Sequence, residues 1–448
     1  MTPSPFEPFL SNTGFVVLDG GLATELEAQG ANLKDHLWSA RLLNDNPSLI
    51  RETHLAYYRA GADVAISASY QASFEGFGRK GFDRNRATEL LLLSVKLAVE
   101  ARDQFWQEYQ QPQQQQLSCG IRHRQARTSK HDVRKKHPLK CNATDHAYMC
   151  NGNRGPESTA GLTHQRRKQR LRPLVAASLG CYGAALADGS EYRGDYGDSI
   201  GQEGLKEWHK ERADVLAVAD GIDFLVFETI PCLTEVRAIF SMLQDLRPSI
   251  GAVISVSCKD DLHLRSGELV RDFADHMWGR AGGENTGEGG DTPGQPRAAA
   301  PACVVGVGVN CTAPHHVAGV LQILSDAAKS SASKGDTTTA CRGEGREDAS
   351  SLGKQSLSKN GDNLTSPVLV AYPNSGEDWD ATAKDWVEGT GFRGDAGVGK
   401  LGLMATEWFE ATGARVFGGC CRTRPAHITE IRRALSLHSG GACPTTAS

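Results

Sequence analysis

The strongest constraint on the fold is a repeated order of short apolar runs and helical windows. Eight runs rich in β-branched residues stand at Phe15–Leu18, Val64–Ser67, Leu174–Ser178, Phe224–Phe227, Ala252–Val256, Val304–Val309, Val368–Ala371 and Arg415–Phe417, with helical patterning between them. Three are entered alike, through Ala60-Gly61-Ala62-Asp63, Asp220-Gly221-Ile222-Asp223 and Thr412-Gly413-Ala414-Arg415. Each entry places a glycine where a helix must stop just before a strand begins. One helix is bracketed at both ends, by Asn46-Pro47 at its start and Gly61 at its end. Eight strands, each followed by a helix, predict an α/β fold of the (β/α)8 TIM-type barrel class. A doubly wound open sheet has the same alternation and is the alternative, because strand counting does not show closure.

Three segments interrupt this pattern: 110–172, which opens on a Gln-rich run, the Gly/Pro-rich 281–300 and the Ser/Gly/Thr/Lys-rich 329–366. None carries enough apolar surface to offset the entropy of ordering, so all three read as disordered surface insertions in one domain spanning 1–448. The net charge of -4 conceals an asymmetry, since 118–172 holds 14 Lys and Arg against 3 Asp and Glu. A retained intron accounts for that abrupt break, and sequencing the mature transcript tests it. No run of 18 apolar residues is present, which excludes a spanning helix. No secretory leader is visible, and the twelve cysteines are irregularly spaced. The expectation is a cytoplasmic protein with reduced thiols.

In a barrel of this kind, chemistry sits where the strands end. Asp19-Gly20-Gly21 follows the first strand, Glu228-Thr229 the fourth, Asn310-Cys311 the sixth, Tyr372-Pro373-Asn374 the seventh and Gly418-Gly419-Cys420-Cys421 the eighth. Two carboxylates and three thiols therefore converge on one rim. Cys311, Cys420 and Cys421 could give a tetrahedral zinc three thiolates and leave its fourth position open, the mark of a catalytic site. A lone cysteine is more often a small buried hydrophobe, but the glycine pair lets the backbone turn both neighbouring sulfurs inward. Three thiolates leave such a site anionic and poor for hydrolysis. It suits binding a substrate thiol, lowering its pKa and presenting a thiolate to an electrophilic carbon.

The segments 19–77, GCYGAALADGSEYRGDY (180–196), FETIP (227–231), GVNC (308–311), YPNSGE (372–377) and GGCCRTRPAHI (418–428) together resemble the homocysteine S-methyltransferase family. The resemblance spans nearly all of the core and none of the insertions. Within the family, ADGSEYRGDY (187–196) is similar to the branch that uses S-methylmethionine, not betaine. It implies zinc at Cys311, Cys420 and Cys421, and Asp19 and Glu228 on the homocysteine ammonium. Without the family, Asp19 would read as a helix cap and Glu228 as a rim charge. Asn310, Tyr372 and Asn374 are expected to support or line the substrate site.

The mechanism so implied is a single in-line displacement on a sulfonium methyl by homocysteine thiolate, forming methionine with no general acid. A cationic donor calls for aromatic rings and carboxylates around it, and Tyr182, Tyr192 and Tyr196 are candidates that core packing explains equally well. S-adenosylmethionine is a second sulfonium donor. Betaine as donor, or a catalytically silent zinc- or thiol-binding barrel, are the rival functions. Partners are expected to be small molecules, with no nucleic acid and no membrane. Cys141, His146 and Cys150, the clusters Arg134-Lys135-Lys136 and Arg166-Arg167-Lys168, and Gly306-Val307-Gly308 do not carry a metal, nucleic-acid or nucleotide assignment.

Overall fold

The structure is a computed structural model. It describes residues 3–33, 38–128, 169–246, 248–279, 300–335, 366–377, 379–380, 385–386, 391 and 394–440. Eight strands, β1 (Val16–Val17), β2 (Val64–Ile66), β3 (Leu174–Gly180), β4 (Phe224–Ile230), β5 (Gly251–Val256), β6 (Val304–Asn310), β7 (Val368–Tyr372) and β8 (Val416–Phe417), pair in parallel. Their order around the sheet is β1-β8-β7-β6-β5-β4-β3-β2, and a parallel bridge between Leu18 and Val64 joins its two ends. The open-sheet alternative is thereby set aside: this is a (β/α)8 barrel.

The repeated strand entries have a physical basis. Gly61, Gly221 and Gly413 take φ of 119°, 81° and 79°, the left-handed region that a side chain would strain. Asp63 then donates its N–H to Val17 O (2.6 Å) and accepts the N–H of Val17 on its Oδ2 (2.9 Å). Asp223 repeats this on Val175, at 2.9 and 2.7 Å. Each aspartate thus sets the register of its strand against the neighbour. The helix Pro47–Ala60 starts where Asn46 caps Leu49 N and stops at Gly61.

Side chains alternate along the strands between two apolar clusters. Val16, Val64, Phe224, Val226, Val253, Val305, Val368, Val370 and Val416 fill the lumen. Val17, Leu225, Phe227, Ile254, Val307, Leu369 and Phe417 face outward, in the cluster shared with the helices. Phe6 and Phe9 join the lumen cluster, and Phe6 packs edge-to-face on Phe224 at 5.1 Å, covering the N-terminal end of the barrel. The Gly-Val-Gly of β6 is a packing device. A Cβ on Gly308 would lie 1.8 Å from Val370 O, so the missing side chain is what lets β6 and β7 pair.

Met1–Trp106 with Leu171–Ser448 form one compact unit, which carries the barrel, and Gln107–Arg170 form a second. The helix Arg84–Thr128 continues well into the first low-complexity segment, where sequence patterning suggested no structure. Gln, Arg and Ala are good helix formers, so this stretch is helical without showing any apolar periodicity. Cys141, His146, Cys150 and both basic clusters lie outside the described residues, as do most of 281–300 and 329–366. No helix among the described residues is long and apolar enough to cross a membrane.

Candidate active site

The strand ends deliver the expected residues to one rim. Cys311 follows β6, and Cys420 and Cys421 follow β8 immediately after the glycine pair. Cys311 Sγ lies 3.6 Å from Cys421 Sγ, Cys420 Sγ lies 4.0 Å from Cys421 Sγ, and all three sulfurs fall within 4.8 Å of one another. Zn–S bonds of about 2.3 Å in a tetrahedron would set sulfurs about 3.8 Å apart, so this donor set fits a tetrahedral thiophilic metal with one position left over. It is the one cluster of three or more possible metal-ligating side chains among the described residues. Hydrogen bonds from the other two thiols hold Cys311 well below the usual thiol range, and the same bonds help push Cys420 and Cys421 up. Cys181, Cys232, Cys258, Cys303, Cys311, Cys420 and Cys421 are all free thiols.

The backbone around the sulfurs is braced. Gly419 N donates to Asp19 O (3.0 Å), Cys420 N to Pro373 O (2.7 Å) and Ser375 N to Cys421 O (3.1 Å). Cβ atoms on Gly418 and Gly419 would stand 2.6 Å from Leu18 Cβ and 2.2 Å from Thr423 Oγ1, so the pair is required for the close turn. Among the described residues, three of the four non-glycine residues with positive φ, Thr229, Cys311 and Arg422, belong to this rim. Backbone held in that region persists where surrounding contacts over-determine it. Asn310 supplies such contacts: its Oδ1 accepts from Thr229 N (2.8 Å), and its Nδ2 donates to Thr229 Oγ1 (2.8 Å) and approaches Cys420 Sγ at 4.0 Å.

A cavity of about 100 Å³ opens beside the thiols. Asp19, Glu228, Tyr372 and the three cysteines line it. Asp19 is 2% exposed and accepts from Ile66 N (2.9 Å); burial, with Glu228 nearby, raises its carboxyl well above the usual range. Glu228 accepts a short hydrogen bond from Ser178 Oγ, and burial pushes it to about 7. Tyr372 is raised by its own burial and then by the charge of Glu228. Asn310 and Asn374 stand behind the wall instead of in it, and Asn374 Oδ1 accepts from Gly376 N at 2.8 Å. Of the three tyrosines of the 180–196 segment, Tyr192 lines the cavity. Tyr182 and Tyr196 pack edge-to-face on each other at 5.4 Å, away from it.

Two site residues escaped the sequence reading. Arg265 donates to Cys311 O (3.2 Å) and lies 5.5 Å from the Tyr192 ring, tying the thiol loop to the 180–196 segment. Glu191 lines the cavity, and burial pushes its carboxyl to about 7. Neither stands directly at a strand end, the signal by which the other residues were found.

Residues 16–435 match the family model described as homocysteine S-methyltransferase. The chain is 34% identical to the homocysteine S-methyltransferase YbgG of Bacillus subtilis, covering 96% of each. It is 33% identical to a selenocysteine Se-methyltransferase of Brassica oleracea, over 94% of this chain and 89% of that one. Among solved structures it resembles the metallated form of the homocysteine methyltransferase MmuM of Escherichia coli. The TM-score is 0.60 and the identity 30%, with 96% of this chain and 99% of that chain covered.

Proposed function

The chain belongs to the homocysteine S-methyltransferase family, and from that premise we propose that it moves a methyl group from S-methylmethionine to L-homocysteine at a zinc site. Methyl transfer to homocysteine is the family's activity; the donor, the metal and the residue roles are this reading's own. The observation that carries it is the sulfur triangle of Cys311, Cys420 and Cys421, whose spacing suits one tetrahedral zinc. Zinc held there would supply thiolate activation of homocysteine at neutral pH.

The protein's own residues do the rest. Asp19 and Glu228 take the homocysteine ammonium, a cation that compensates two carboxylates otherwise buried together. Asn310 keeps the C-terminal ends of β4 and β6 in fixed relation, so that the acceptor thiol and its ammonium are anchored at once. Tyr372 closes the wall beside Glu228, and Asn374 holds the turn behind Cys421. The reaction is a displacement at carbon. The new C–S bond forms from the homocysteine thiolate as the donor's S–CH3 bond breaks, with its electron pair returning to the donor sulfur. Thiolate and sulfonium become two neutral thioethers, so no acid or base is consumed and alignment dominates catalysis. The free thiols of the seven barrel cysteines suit a reducing, cytoplasmic setting.

Zinc quantification alongside methionine formation with S-methylmethionine, S-adenosylmethionine and betaine tests this reading. About one zinc per chain and turnover with the sulfonium donor are expected. Turnover with betaine alone would overturn the donor assignment, and bound zinc without turnover would favour a silent thiol-binding barrel.

A further inference from the structure

Beyond Asp19 and Glu228, the cavity is lined by a third carboxylate, Glu191, and by no Lys, Arg or His among the described residues. The Oε2 of Glu191 is fully buried and has no hydrogen-bond partner. A carboxylate oxygen taken out of water without a partner costs free energy that a ligand bearing positive charge would recover. Arg193, two residues along the chain, is committed elsewhere: it donates to Asp195 Oδ2 (2.9 Å) and Ser190 Oγ (3.0 Å).

The placement of Glu191 is built. Glu235, wholly buried, accepts from Tyr182 N (2.7 Å) on one oxygen and from Tyr196 OH (2.5 Å) on the other, pinning both ends of the segment that carries Glu191. His209 Nε2 adds a third bond to Glu235 at 2.8 Å. A Cβ on Gly183 would sit 2.6 Å from Glu191 N, so that glycine is what allows the segment to fold back against the helix Tyr182–Leu186. Beside Glu191 stands Tyr192, also lining the cavity. A carboxylate and an aromatic face together suit a small onium cation.

The geometry points to Glu191 as the residue that holds the positive sulfur of the methyl donor. The inference rests on the proposed function and deepens it. The sulfonium charge disappears as the methyl leaves, so the Glu191 interaction is stronger with the bound donor than with the neutral thioether product. It binds the donor without lowering the barrier from the bound state, and a change there belongs in donor KM, not in kcat.

The test is steady-state kinetics of the zinc-loaded enzyme carrying Glu191→Gln, with S-methylmethionine and homocysteine each varied. The donor KM is expected to rise about 10- to 100-fold, with kcat no lower than the wild type's, as befits loss of one charged contact. Homocysteine KM, zinc content and product inhibition by methionine are expected to stay within about threefold, well inside the scatter that a charged contact would exceed. Glu191→Asp, which keeps the charge, should recover part of the loss. A rise in homocysteine KM instead, or a fall in kcat with donor KM unchanged, would overturn the inference. So would an unaltered donor KM in the variant while the wild type uses S-methylmethionine, and the proposed function would then stand. A wild type that uses betaine but not S-methylmethionine would remove both.

Discussion

Asn310 and Thr229 are joined through both ends of one amide: Oδ1 accepts the Thr229 N–H and Nδ2 donates to the Thr229 hydroxyl, each at 2.8 Å. Thr229 at φ 62° and Cys311 at φ 49° both sit in left-handed backbone, one residue beyond Glu228 and Asn310 respectively. The amide therefore sets the distance between a thiol and a carboxylate that belong to different strands.

Replacing Asn310 with Ala leaves the buried Thr229 N–H unpaired and unties the two strand ends. We expect a loss of about 1–3 kcal/mol in unfolding free energy. Activity should fall about 10- to 100-fold, as for other residues that orient metal ligands. Denaturant unfolding and kcat/KM on the same preparation check both. A stable variant with full activity would show that the bridge is dispensable.

Glu228 makes the metal-free protein sensitive to pH. Its carboxyl is raised to about 7, so between its unfolded value, about 4.3, and 7 the folded state holds a proton that the unfolded chain has lost. Stability therefore falls as pH rises through that window. Glu228→Gln removes the penalty and should make the apoprotein more stable than the wild type at pH 8, by about 1–3 kcal/mol, while leaving it no more stable at pH 4. Guanidinium melts at the two pH values check the sign. Homocysteine KM should rise in the same variant.

The strand plan was legible because each parallel strand is buried on both faces and shows as an unbroken apolar run ending at a polar rim residue. The sulfur triangle was legible for the same reason, since Cys311 and Cys420 mark strand ends. Glu191 was not, because it lies eleven positions past β3 in a loop whose path is set by Glu235 and Gly183, contacts that no local pattern encodes. The pairing of Asp63 with Val17 was equally hidden: the motif was visible, but not the strand it would bind.

Gly308→Ala places a methyl group 1.8 Å from Val370 O, where backbone must move. Because β6 ends at Asn310 and Cys311, the displacement reaches the thiol site directly. We expect a loss of more than about 3 kcal/mol, beyond ordinary overpacking, with zinc binding weakened in any protein that stays soluble. Gly78→Ala, which meets nothing within 4 Å, is the control and should leave zinc binding unchanged.

The ends flanking 280–299 are already adjacent, since Ala300 N donates to Met277 O at 3.2 Å. Joining them with a short Gly-Ser linker should leave zinc content and kcat within about twofold, because closing a shorter loop costs little. Loss of activity would show that the segment takes part in the site, against its reading as a surface insertion.

The most direct measurement is X-ray absorption at the zinc edge of the zinc-loaded protein, with and without homocysteine. The account predicts three sulfur ligands with one lighter atom in the free protein, and four sulfurs once homocysteine is bound. Cys311→Ala should remove one sulfur from both spectra or abolish zinc binding. Coordination unchanged at saturating homocysteine would contradict activation of the substrate thiol at Cys311, Cys420 and Cys421.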